Sequence, residues 1–87
     1  MNTLTLNYHQ DGGHGWVEIS KVLAQKIMGE DYHNISSYSY QKGDMLFLEE
    51  DCDAGLLVGA IKKLNMNLET NAIHHAGECI IRSYRRV

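Results

Sequence analysis

Thr3-Leu4-Thr5-Leu6-Asn7-Tyr8-His9-Gln10-Asp11-Gly12-Gly13-His14-Gly15-Trp16-Val17-Glu18-Ile19-Ser20 is the stretch whose reading decides the fold. Residues 3–8 alternate in polarity and are rich in β formers, which predicts a strand. Glycines at 12, 13 and 15 make the strongest turn signal in the chain. They are followed by a second short strand, Trp16 to Ile19, so the passage reads as a hairpin. Ser20 then offers a hydroxyl to the first free amides of a helix. Val22, Leu23, Ile27 and Met28 recur at helical spacing, and Gly29 suits the left-handed residue that ends a helix. A helix is expected over residues 20–28.

The same periods organise the rest. Residues 35–41 alternate, with Tyr38 and Tyr40 on one face of an expected strand. Lys42-Gly43 fits a tight turn, and Met45 to Leu48 is an apolar run short enough for a buried strand. Asp51 or Asp53 is placed to cap a second helix. Leu56, Leu57, Ala60, Ile61 and Leu64 form its apolar stripe, and Lys62 and Lys63 complement its C-terminal dipole. Gly55 and Gly59 lower its propensity by up to about 1 kcal/mol each and would admit another backbone closely. Leu68 to His75, a turn at Ala76-Gly77-Glu78, and Cys79 to Tyr84 read as a last hairpin. The expected fold is a single α+β domain over residues 1–87. Its small antiparallel sheet carries two short helices on one face, in the order β-β-α-β-β-α-β-β.

Eighty-seven residues leave room for one domain. A chain this short buries only about 60–65% of its unfolded surface, so a homodimer is expected as a further source of burial. Eight basic against eleven acidic residues give a formal charge of −3, which argues against non-specific nucleic-acid binding. Cys52 and Cys79 have no CxxC spacing and read as reduced thiols. The first residues lack the basic and apolar pattern of a signal peptide, and no run approaches a membrane span. The expected compartment is the cytoplasm, with no membrane partner.

Four segments carry candidate chemistry. The glycine turn brings backbone amides, His9, Asp11 and His14 together, an arrangement able to hold an anion, but it lacks the spacing of a phosphate loop or dinucleotide fingerprint. Its plainer reading is a turn with solvated histidines and a core Trp16. Glu49, Glu50, Asp51 and Asp53 suit a divalent cation, a basic protein partner, or simply a helix start. Arg82, Ser83, Tyr84, Arg85 and Arg86 combine planar guanidinium groups with stacking area, or form a solvated terminal strand. His74-His75 point to opposite strand faces and do not suit one metal. No spacing matches a known metal pattern or nucleophile elbow, so no cofactor, resident metal or catalytic residue is expected.

Taken together, the elements D-x-G-H-G-W (Asp11 to Trp16), I-S-x-Y-S-Y (Ile35 to Tyr40), L-E-E-D-C-D-A (Leu48 to Ala54) and I-R-S-Y (Ile81 to Tyr84) resemble a family of small proteins of tailed phages, prophages and plasmids. The resemblance runs in order along nearly the whole chain, with Gly12 where proline is often expected. It implies an accessory protein that acts in a host cell by occupancy. Such a protein blocks a host protein or sequesters a nucleotide-like small molecule, as in counter-defence. The competing class is a small metal-dependent hydrolase or nuclease using His14 with Glu50 or Asp51. In either case His14, Tyr38, Tyr40, Glu50, Arg82 and Tyr84 are expected to gather at one end of the sheet.

Overall fold

A computed structural model describes residues 2–87. Strands β1 (Thr3–Gln10) and β2 (Gly15–Ser20) form the expected hairpin, with Tyr8 opposite Val17 and His9 opposite Trp16. Helix α1 (Lys21–Met28) starts where the Ser20 hydroxyl accepts from the Leu23 amide at 3.1 Å. It stops at Gly29, whose φ of 55° ends it and whose amide returns to the Gln25 carbonyl. A 3₁₀ turn (Gly29–Asn34) leads on to β3 (Tyr40–Lys42) and β4 (Met45–Glu49), which pair antiparallel. Helix α2 (Asp53–Lys63), β5 (Asn67–His74), a second 3₁₀ turn (Ile80–Ser83) and β6 (Arg85–Arg86) complete the chain.

The six strands lie in the order β5-β1-β2-β4-β3-β6. Both helices cover one face of this sheet. There Leu6, Val17, Ile19, Leu46 and Leu48 meet Ala24 and Met28 of α1 and Ala54, Leu57, Ala60 and Ile61 of α2. The other face carries Trp16, Tyr40 and Phe47, and it is closed by Cys79 and Ile81. No helix among the described residues is long and apolar enough to cross a membrane.

The α+β class and the two helices on one face stand; four finer expectations are corrected. First, the sheet is mixed, because β5 runs parallel to β1, with Leu4 beside Leu68 and Tyr8 beside Ala72. An eleven-residue helix returns the chain to the end where β4 began, so the next strand runs in the direction of β4, which is also that of β1.

Second, the last hairpin is absent, and two 3₁₀ turns interrupt the expected element order. Gly77, at φ 71°, turns the chain out of β5. Residues 75–84 then run as a strap across the aromatic face, from one sheet edge to β6 on the other. Burial of Trp16, Phe47 and Tyr40 is what this course gains.

Third, the strand expected from residue 35 begins only at Tyr40. Ser36 and Ser39 instead donate their hydroxyls to the Asp53 carboxylate, and the Ser36 amide donates to it at 3.0 Å. These bonds to a residue 14 and 17 positions away hold the segment in a course that a strand ladder would not allow.

Fourth, neither Asp51 nor Asp53 caps α2. Cys52 holds the cap position without a side-chain bond, and Asp53, 1% exposed, is spent on the two serines. The apolar stripe is buried at Leu57, Ala60 and Ile61, while Leu64 is exposed. A Cβ on Gly55 or Gly59 would meet nothing within 4 Å, so among the described residues no other element's backbone approaches them.

Candidate functional site

The glycine turn is held by one carboxylate. Asp11 Oδ1 accepts from the amides of Gly13 and His14, each at 3.0 Å. Asp11 Oδ2 accepts from the Cys79 amide at 3.0 Å. Arg82 clamps the same group with two donors, Nε at 2.7 Å and Nη2 at 2.9 Å. Bidentate arginine–carboxylate contacts are short, directional and strong. The Arg82 guanidinium, helped by the Cys79 and Gly13 amides, holds the Asp11 carboxyl well below the ordinary carboxylate range. The same contact pushes the Arg82 pKa up. Asp11 therefore pins the strap to the turn and fixes the backbone that presents His14.

On the sheet, Trp16 stands opposite Glu49 and Phe47 opposite Tyr40. These side chains share the face beneath the strap. Trp16 is buried, as its size and place predict, and its Nε1–H is the single buried side-chain donor without a partner among the described residues. Arg82 lies over the Trp16 ring at 5.3 Å and Arg86 over the Tyr40 ring at 5.1 Å, both within cation–π range.

These groups border a cavity of about 460 Å³ at one end of the sheet. Tyr38, Tyr40 and Trp16 give it aromatic walls, and Arg82 and Arg86 give it cationic ones. His14, Glu49, Asp51 and Cys52 complete it. His14 Nδ1 lies 3.3 Å from Glu49 Oε1, and the Asp51 amide donates to Glu49 Oε2 at 2.9 Å. One ligand atom from each of His14, Glu49 and Asp51 fits within a 4.8 Å span.

Four of the six expected site residues, His14, Tyr38, Tyr40 and Arg82, line this one cavity. Tyr38 reaches it from a turn rather than a strand, and Arg82 from a 3₁₀ turn. Glu50 does not line it: one residue past the end of β4, it lies on the helix-covered side. There it accepts from the Tyr8 hydroxyl, and burial together with that bond pushes the Tyr8 pKa up to about 12. Tyr84 does not line it either. It packs on Phe47 at 5.2 Å, beneath Lys42, beside a separate hollow near the β3–β4 turn. His74 and His75 lie apart from the cavity, on Gln10 and His9.

Glu49, Asp51 and Arg86 belong to the site in place of Glu50 and Tyr84. A sequence signal for Glu49 existed: Leu46 and Leu48 face the helices, so Phe47 and Glu49 face away from them. No family model, curated protein or solved structure matches the chain.

Proposed function

We propose that the protein acts by binding, and that its cavity takes a small anionic ligand with a planar ring, of nucleotide-like chemistry. The observation that carries this reading is the meeting of the exposed Tyr38 ring with two guanidinium groups around one cavity of about 460 Å³. That volume lies within the range of small-molecule sites. Tyr38 supplies a free face for stacking. Arg86 spends one donor on the Ser37 carbonyl at 3.0 Å and keeps others free. Within the context the resemblance implies, such a protein works in a host cytoplasm by holding a small signal molecule away from its receptor.

The other form of occupancy, capture of a host protein through the acidic segment, draws less support. Glu49 and Asp53 are buried, which leaves a smaller acidic surface than the four carboxylates promised. Calorimetry and thermal shift with a panel of mono-, di- and cyclic nucleotides test the reading. Saturable binding should weaken about tenfold or more in Tyr38→Ala and Arg86→Ala, a loss of at least about 1.4 kcal/mol each. A panel without any binder, or variants that bind as well as the parent, would refute it. The convergence of His14 with Glu49 and Asp51 favours a second reading, a metal-dependent hydrolase or nuclease. Product release from nucleotides or DNA with Mn²⁺ present would establish that reading, and binding without turnover keeps the first.

A further inference from the structure

The geometry points to a site for one divalent transition-metal ion held by His14, Glu49 and Asp51. Three observations converge on it. The first is the donor set. One imidazole nitrogen and two carboxylates come from the glycine turn and from the end of β4, segments 35 residues apart. Their ligand atoms fall within 4.8 Å of one another. Imidazole with carboxylates suits Zn²⁺, Mn²⁺ or Fe²⁺, whereas Mg²⁺ and Ca²⁺ favour oxygen alone.

The second is distance. His14 Nδ1 and Glu49 Oε1 are 3.3 Å apart. That is long for an N–H···O bond. For this pair it matches the edge of a tetrahedron about an ion with ligand bonds of roughly 2.0–2.1 Å, about 3.3–3.4 Å, with Asp51 within the 4.8 Å span of the set.

The third is charge. Glu49 is only 9% exposed, yet among the described residues His14 is its one ion-pair partner. Buried carboxylates are commonly paired or coordinate a metal, and an ion seated between Glu49 and His14 would supply such a counter-charge. The surrounding bonds keep the donors in place. Asp11 fixes the His14 amide at 3.0 Å. Ser39, anchored on Asp53, accepts from the Glu49 amide at 3.0 Å. These act as positioning residues, as outer-shell partners of metal ligands commonly do.

Three protein ligands leave at least one coordination position for water or a ligand oxygen. The ion site stands on side-chain geometry alone. Its use rests on the binding reading above: the ion would offset the two carboxylates that otherwise repel an anion from the cavity.

The test uses the whole chain and metal alone, by calorimetry with Zn²⁺ and by electron paramagnetic resonance with Mn²⁺. One ion per chain should bind. His14→Ala and Asp51→Asn should each weaken binding by more than about tenfold, while His33→Ala, at an exposed histidine, should not. Asp51→Asn alters an exposed side chain and should keep the metal-free melting curve of the parent, so its loss of binding is read on a folded protein. Failure to bind either ion, loss in His33→Ala instead, or equal affinity in the site variants overturns the site. Thermal shift with ADP, with and without the ion, separates the two proposals. Metal binding without any ADP effect keeps the ion site and refutes the use assigned to it, whereas ADP binding that ignores the ion does the same and leaves the binding reading standing.

Discussion

The strap across the aromatic face makes a sharp prediction from two adjacent isoleucines. Ile81 is 1% exposed and packs with Trp16, Tyr40, Phe47 and Cys79, whereas Ile80 is 63% exposed. Truncating a fully buried isoleucine to alanine costs about 2–5 kcal/mol, the transfer loss plus the cavity left behind. A domain of this length holds only about 4–13 kcal/mol in total. Each kcal/mol lowers the melting temperature by about 4–8 °C in domains of this size. Ile81→Ala should therefore melt at least about 8 °C lower, and Ile80→Ala should stay within about 0.5 kcal/mol of the parent. Thermal unfolding followed by far-ultraviolet circular dichroism measures both. Fluorescence adds a local probe, because Trp16 is the sole tryptophan and lies beneath the strap. Its emission should shift to the red in Ile81→Ala even where the helices remain folded. Equal melting temperatures for the two variants, or an unchanged Trp16 emission, would show that residues 75–84 do not close this face.

Three further outcomes follow from particular contacts. A Cβ on Gly15 would collide with the Tyr8 hydroxyl and ring, so Gly15→Ala must displace that ring, and urea unfolding should show a loss of about 1–3 kcal/mol; paired with Tyr8→Ala, the loss should shrink. Asp11 has a depressed pKa when folded, so its contribution is complete above the unfolded value of about 3.9 and fades as pH falls below it. Asp11→Asn should accordingly be less stable than the parent at neutral pH, with the two converging in acid titrations below about pH 4; a constant gap would show that the clamp is not ionic. Gly55→Ala and Gly59→Ala should each stabilise α2 by up to about 1 kcal/mol, since a Cβ there meets open space. If the homodimer expected from the chain's length pairs helices at these glycines, light scattering should instead show the variants dissociating.

Regular elements were legible where a strong period and a local stop signal agreed. Ser20 and Gly29 bracket α1 as capping chemistry requires, and the short apolar run Met45 to Leu48 forms a strand with Leu46 and Leu48 toward the helices. Legibility failed where a distant partner decided the local course. Alternation over residues 35–41 suggested a strand, but nothing nearby reveals that Ser36 and Ser39 are claimed by Asp53. Cys79 to Tyr84 suggested a strand as well, and burial does alternate there, with Cys79 and Ile81 buried and Ile80 exposed. The alternation belongs to a strap over the sheet, however, and its partner surface comes from three other strands. The parallel β1–β5 pairing was equally hidden, because it follows from the number of chain reversals rather than from either strand's composition.

The site shows the same division more finely. Glu49 and Glu50 are chemically alike and adjacent, yet one lines the cavity and the other bonds Tyr8 behind the sheet. A one-residue change of register exchanges their roles, since successive strand side chains point to opposite faces. What fixes that register is the pairing of Trp16 with Glu49 and of Val17 with Leu48, which sets tryptophan on the strap side and the aliphatic run on the helix side. The cavity is then completed by residues outside the long strands: His14 from the turn, Tyr38 from the coil before β3, Asp51 and Cys52 before α2, and Arg82 from the strap. Loops carry function well only when something rigid positions them. Here two buried carboxylates do so, Asp11 for the turn and strap and Asp53 for the coil before β3. Each is saturated with donors and therefore poorly suited to meet a ligand. The polar groups left under-bonded, Glu49, Asp51, the free donors of Arg86 and the Tyr38 ring, border one cavity, and it is this difference in hydrogen-bond saturation that separates the groups available for binding from those that build the scaffold.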